Sequence, residues 1–404
     1  MKRFIANFAK KFGIEIRRYT PPMKVHIGEI VSLKTKNSPK GNMLLSYVIE
    51  PFLLKDDETI SNAHTHDFES FLIAETFLDL GYDVDVIDYR DESFTPTKEY
   101  SFFVSARTNF QRIAELLNDD CVKIVHLDMA HWLFNNYASY KRCLALKERK
   151  GIALRSYKMQ EMNWAIEYAD YATILGNEFT ISTYKYAQKS LFRILISTCS
   201  TYPWSAVKDF NDCRRNFLWL GSSGCVHKGL DLVLESFVEL PDCHLYICGP
   251  IEREKDFQSA YHKELYETKN IHTIGWVDVT SSEFIEIAGK CVGVVYPSCS
   301  EGGGGSVIQC MHAGLIPIVS YESSVDVGDF GVILKDCSIS EIKNSIRMIS
   351  SLPAEELRRM SRMAWEFARA NHTRERFAEE YQRIVKKITA IHHEKKKSYK
   401  SEIS

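Results

Sequence analysis

Short apolar runs of strand length alternate with stretches of helical spacing along most of this chain. LLSYVIEPFLL (44–54) reads as a buried strand, followed by a polar loop to residue 66, a helix over 67–80 closed by Gly81, and a second strand in DVDVIDY (83–89). This is a βαβ opening. The pattern continues with a helix over 110–117, a strand over 122–127, a charged helix over 141–150, a helix over 160–168, and strands over 171–175 and 192–196. Alternation at these lengths predicts an open parallel sheet with helices on both faces. After an irregular stretch (197–215) it restarts, with strands over 217–220, 244–248 and 271–274 and helices over 230–239 and 282–288. Helices over 341–352 and 353–370 close this second unit, and residues 374–388 have the spacing to reach back across the first. The expected architecture is α/β, with two doubly wound domains (21–205 and 206–370) facing across a cleft. Residues 1–20 and 371–404 stand outside them as an amino-terminal helix and a returning helix with a basic tail.

One stretch stands apart. VGVVYPSCSEGGGGSVIQCMHAGLIPIVS (292–320) passes from an apolar β-branched run to Pro297, a lone acid (Glu301), four glycines (Gly302, Gly303, Gly304, Gly305) and then helical spacing at Val307, Ile308 and Met311. Gly314 ends that helix and a second strand follows. A loop without side chains before a helix start offers backbone N–H groups and a positive dipole end, which suits phosphate or sugar oxygens. The first strand of the same unit runs into GSSGCVHKGLD (221–231), where Lys228 precedes a helix start and can neutralise a diphosphate. No GKS or GKT follows, so this is not a Walker loop. Sites of doubly wound sheets lie outside the carboxyl ends of the strands, so the loops at Gly221, Gly249, Gly275 and Pro297 are expected to face the cleft.

The composition narrows the setting. With 404 residues, 45% hydrophobic and 26% charged, the chain has material for two large cores, and a net charge of −2 gives no pull towards nucleic acid. Eleven cysteines without a CxxC pair argue against a disulfide framework or a zinc site and favour reduced thiols. No apolar run reaches the roughly 18–20 residues that span a bilayer, and the start lacks a signal peptide's apolar core, so a cytoplasmic protein is expected. KRFIANFAKKF (2–12) places Phe4, Ile5, Phe8 and Phe12 on one face among basic residues. Such a helix lies on an anionic membrane surface or packs on the protein's own body.

The segments 221–231 and 297–320, with ICGP (247–250) and IHTIGWV (271–277) between them, resemble the donor half of retaining glycosyltransferases of family 4. The resemblance covers most of residues 217–388 and implies the GT-B fold of two facing Rossmann-like domains. It further implies that Lys228 grips the diphosphate of a nucleotide sugar, that Glu301 meets the sugar hydroxyls, and that the amides of 302–306 support sugar and phosphate. Gly249 and the backbone at Trp276 and Val277 would border the donor, and no metal would be required. His131 would stand near the reacting sugar; apart from the resemblance, Asp128 is a nearby rival to it, and His66 reads as a helix-start or acceptor-site residue. The acceptor would be a saccharide or a lipid-linked one.

Two departures matter. Gln309 stands where the family has a second glutamate, and Ser222 and Ser223 stand where it has an arginine. Gln309 can still meet a ribose, while Ser306-x-x-Gln309 also fits a capping box. No pair of carboxylates stands out as nucleophile and acid, which suits a front-face, anomer-retaining transfer. Two other readings fit some of these residues. One is an NAD-dependent oxidoreductase with Glu322 on a ribose, although GGGGS lacks the third glycine of that motif. The other is a glycosyltransferase-like binding protein without catalysis, motivated by Gln309 and the missing arginine.

Overall fold

The computed structural model describes residues 25–403 apart from 37, 56 and 107, so the helix expected over 2–12 lies outside the described residues. The first sheet holds β1 (Ile30–Leu33), β2 (Asn42–Tyr47), β3 (Asp83–Asp88), β4 (Phe102–Ser105), β5 (Val122–Leu127), β6 (Tyr171–Leu175) and β7 (Ser190–Ile194). Its order is β1-β3-β2-β4-β5-β6-β7, parallel except for β1. The second sheet holds β8 (Asn216–Leu220), β9 (His244–Cys248), β10 (Ile271–Gly275), β11 (Gly293–Tyr296), β12 (Ile316–Ser320) and β13 (Val332–Leu334), parallel throughout in the order β10-β9-β8-β11-β12-β13. The principal helices are α1 (Thr65–Asp79), α2 (Trp132–Lys150), α3 (Glu178–Tyr184), α4 (Leu230–Val238), α5 (Ser282–Lys290), α6 (Gly305–His312), α7 (Ile339–Ser351), α8 (Ala354–Asn371) and α9 (Arg374–Ile403).

Strand order reverses between β2 and β4 in the first sheet and between β8 and β11 in the second. Loops leave such a point in opposite directions and open a crevice at the carboxyl ends of the strands. Lys228 follows β8 and Glu301 follows β11, so the sequence places its two strongest candidates on either side of one crevice.

Some expected elements moved. The helix expected over 160–168 shrinks to Ala165–Tyr168, because Asn136 ties residue 160 into a loop by Gln160 N–H to Asn136 Oδ1 and Asn136 Nδ2 to the Gln160 carbonyl, both 2.8 Å. Conversely, the charged helix begins at Trp132, nine residues before the expected 141. The last strand of the first sheet is 190–194 in place of 192–196. β1, β4 and β13 went unpredicted because runs of three or four residues carry too little periodicity. β1 holds the sheet edge partly through side chains: Ser32 Oγ donates to Asp85 at 2.7 Å and Lys34 pairs with Asp83 at 2.9 Å.

α9 does return to the first domain, where it packs on α1. Its residues Phe377, Tyr381, Ile384, Val385 and Ile388 form one apolar stripe at i, i+4, i+7, i+8 and i+11, all buried. Each such side chain contributes about 1.5–3 kcal/mol when taken out of water. Phe377 and Tyr381 lie edge-on to the ring of His126, confirming that histidine as a core residue. All eleven cysteines are free. Among the described residues no helix is long and apolar enough to cross a membrane.

Candidate active site

Three loops of the second domain converge where its strand order reverses. β8 runs into Gly221, whose N–H donates to the Cys248 carbonyl at 3.0 Å, and Gly249 N–H donates to Gly275 O at 2.9 Å. A methyl group at 249 would stand 2.5 Å from the Gly221 carbonyl, so glycine there lets two strand ends close on each other. Ser222 and Ser223 are half-buried on the turn that follows. Buried Glu254 holds this turn from behind by accepting the N–H groups of Gly224 and Cys225. Trp276 is exposed just past β10 and Val277 is buried.

Lys228 and Glu301 meet in the crevice. Lys228 Nζ donates to Glu301 Oε1 at 2.7 Å and to Tyr296 Oη at 2.6 Å, and Lys228 is only 4% exposed. Tyr296 Oη and Ser298 Oγ each donate to the same Oε1 at 2.9 Å. Three donors therefore fix one carboxylate oxygen, while no hydrogen bond among the described residues uses Oε2. Burial alone would raise the pKa of this carboxyl, yet the charges of Lys228, His227 and Lys158 bring it down to about 2. The carboxylate stays ionised with one oxygen anchored and the other left to accept a hydroxyl. Tyr296 and Ser298 went unnoticed in the sequence, where the first reads as strand and the second as turn.

The glycine loop has a reason beyond anion binding. A methyl at 302 would collide with the Asp128 carbonyl and the Met129 backbone, and one at 303 would press on Gly176 N and Ile196. Gly303 and Gly304 also sit at positive φ, 120° and 54°. The loop thus threads against first-domain backbone, and Thr180 Oγ1 of α3 donates to the Glu301 carbonyl at 3.2 Å. Gly305 and Ser306 then begin α6, whose N-cap is Gly304 without a side-chain cap.

That removes the capping box expected for Ser306 and Gln309. Gln309 instead binds the crossing between the domains: its Oε1 accepts from Thr198 Oγ1 at 3.0 Å and Ser200 N at 3.2 Å, and its Nε2 donates to Ser200 O at 2.8 Å and Tyr202 Oη at 2.6 Å. It is buried with both ends of its amide engaged, so the expected ribose contact is not available to it here. A neutral amide offers a donor and an acceptor to this backbone, where a carboxylate would offer acceptors only.

His131 lies just past β5 as expected, with its ring engaged by neighbours. It N-caps α2, with Nδ1 accepting from Leu133 N at 3.3 Å, and Nε2 meets Tyr186 Oη at 2.9 Å, which donates to Glu167 at 2.6 Å. Both nitrogens are taken up in this chain, along an open aromatic hollow of about 460 Å³ that also includes Trp132, Tyr137 and Trp164. His66 fares better. It follows β2, contacts Tyr47 Oη at 2.8 Å and the fully buried Glu69 at 3.2 Å, and its Nε2 is 3.9 Å from Asp128. Asp128 carries the carbonyl that faces Gly302, so His66 and Asp128 stand on the first-domain side of the same crevice. Burial and the nearby Glu50 push the neighbouring Asp67 carboxyl up to about 6.

His227 ties the crevice together. Its Nε2 donates to the Ser300 carbonyl at 2.6 Å, which leaves Nδ1 to accept from Ser139 Oγ of α2 at 2.7 Å. Two further histidines bridge the domains: His372 Nδ1 donates to Ile196 O at 3.0 Å and His312 Nε2 to His372 O at 2.8 Å. Burial pushes all three imidazoles down to about 4. Unfolded, each binds its proton near pH 6.5, so between pH 6.5 and 4 the unfolded chain holds more protons and stability falls with pH. Each contributes about 1.4 kcal/mol per pH unit, or about 4 for the three in the lower part of that window. We expect the thermal midpoint to drop steeply below pH 6, and a midpoint unchanged from pH 7 to 4.5 would contradict this assignment.

Residues 220–367 match the family model of Glycosyl transferases group 1. This match lies within the second domain. Among solved structures, sucrose-phosphate synthase from Thermosynechococcus elongatus is 13% identical, with 87% of this chain and 100% of that one covered at a TM-score of 0.61. Anabaena HepE, in complex with UDP and glucose, is 11% identical over 86% of this chain and 99% of its own, at 0.54. A TarM variant from S. aureus, bound to ligands including UDP, is 12% identical over 69% of this chain, at 0.51. This chain spans about half of TarM's length, 54%. These likenesses establish the GT-B arrangement of two facing domains. No match is found among curated proteins.

Proposed function

We propose that this protein transfers a sugar from a nucleotide-diphosphate donor to a saccharide or lipid-linked acceptor with retention of anomeric configuration. The observation that carries the reading is the Lys228–Glu301 pair at the β8/β11 crevice of a group 1 glycosyl transferase domain. Breaking the sugar–diphosphate bond builds negative charge on the leaving phosphate and positive charge on the ring. Lys228 and the start of α6 face the first, and Glu301 Oε2 accepts a sugar hydroxyl. Ser222, Ser223, Gly249, Trp276, Val277 and the amides of 302–306 border the donor, while His66 and Asp128 face the acceptor. The cationic side chains and loop amides take over the charge neutralisation, so that no metal is needed, and turnover should survive EDTA. We further propose that the basic amino-terminal segment (2–12) holds the enzyme on the anionic inner face of a cell membrane, which vesicle sedimentation with and without residues 1–20 tests.

Saccharide synthesis is supported by the ligands and names of the solved relatives, two of which carry UDP. The test is to incubate the protein with UDP-, GDP- and ADP-sugars and a panel of simple glycosides, and to follow nucleotide release and product anomer by NMR. Release with retained anomeric configuration supports the reading. Tight binding of NADH, with neither release nor binding of any nucleotide diphosphate, would replace it with the oxidoreductase alternative.

A further inference from the structure

We propose that Lys158, which belongs to the first domain, is a second cation of the diphosphate site, so that the donor is gripped from both sides of the crevice. The inference rests on the donor reading above and adds a residue that the donor-side motifs do not contain.

The charges of the site call for it. Lys228 is neutralised by Glu301 at 2.7 Å, and His227 is uncharged near neutral pH. Ser222 and Ser223 add hydroxyls without charge. These residues by themselves present dipoles and a closed ion pair to a ligand that carries at least two negative charges. A further cation is needed if the leaving diphosphate is to be favoured over water.

Lys158 is delivered to that place by a loop that crosses from the first domain. Residues 151–164 run over the second domain, where Arg155 N and Tyr157 Oη donate to Asp256 at 2.9 Å each. The Lys158 carbonyl accepts from Asn135 Nδ2 at 2.7 Å, and Asn135 is completely buried in α2. The residue is thus fixed by its backbone from one side. On the other, its aliphatic stem lies against Gly224 in the Lys228 loop, where φ is +96° and a side chain would collide with the stem. The ammonium beyond that stem acts on the crevice, since it helps to keep Glu301 ionised and His227 neutral. A lysine on the first domain also couples donor binding to closure, because the diphosphate then bridges two bodies joined by the crossings at 197–202 and 371–374.

Titration calorimetry on the full chain tests this with two probes, inorganic pyrophosphate and UDP. Lys158→Met keeps the stem and removes the charge; it should weaken both probes about tenfold or more, the effect of one charge-assisted contact. Lys158→Arg should bind within about threefold of the wild type, since the charge is retained. Lys147→Gln, an exposed lysine on α2, should change nothing. The same melting temperature for Lys158→Met and wild type separates lost charge from lost fold. Binding by Lys158→Met equal to wild type would overturn the inference while leaving the donor reading standing. Failure of the wild type to bind pyrophosphate, UDP, GDP or ADP would overturn the donor reading itself and the inference with it.

Discussion

Replacing Lys228 by alanine should lower sugar transfer about 10²–10³-fold, the scale for losing one preorganised charge stabiliser at a reacting centre. It should also destabilise the fold by about 3–5 kcal/mol, because a buried carboxylate loses its ion partner. Glu301 shows why the two effects are separable. Its carboxyl is held at about 2 largely against burial, so it contributes stability above about pH 4.5 that is lost as pH falls towards 2. Without Lys228 that carboxyl titrates higher, and acid instability begins nearer neutrality. Adding Glu301→Gln to Lys228→Ala removes the stranded charge and should recover much of the melting temperature without recovering turnover. Recovery of both, measured by calorimetry and by nucleotide release, would mean that the pair is a structural bridge and not the donor site.

Gly302→Ala should be the next most damaging substitution, and through geometry alone. Its φ is not in the left-handed region, so the backbone tolerates alanine. The added carbon strikes the Asp128 carbonyl and the Met129 backbone, neither of which can rotate away. Overpacking of this kind costs roughly 1–3 kcal/mol, and the cheapest relief is to move the second domain off the first. Turnover should fall about 10–100-fold, since a shift near 1 Å misaligns donor and acceptor. Affinity for UDP, which is held mainly by the second domain, should change much less. Steady-state kinetics beside UDP titration checks the split; an equal loss in both would place Gly302 at the nucleotide and not at the domain contact.

The fold was largely legible because buried parallel strands of five or six residues leave unmistakable apolar runs: β6 and β9 match their expected bounds. Short strands were lost for the opposite reason. The meeting of Lys228 and Glu301, 73 residues apart in sequence, followed from strand order and motif spacing together. What sequence could not reveal was which side chains face across the domain seam. Gln309 has the spacing of a cap and of a ribose ligand, but the crossing at 198–202 supplies its actual partners. His131 has a strand-end position that suits a site, yet Tyr186, 55 residues on, takes its ring. The four glycines read as an anion cradle, and only the structure adds the close approach of first-domain backbone at Gly302 and Gly303. Lys158 left no signal at all, since a lone lysine in a polar loop looks like a solvated one.

The most direct measurement is a crystal structure of the protein with the nucleotide diphosphate that binds it most tightly. The diphosphate is expected in the β8/β11 crevice, within hydrogen-bond distance of Lys228 Nζ and the amides after Glu301. A diphosphate bound at the carboxyl ends of the first sheet, with Lys228 and Glu301 still closed on each other, would contradict it.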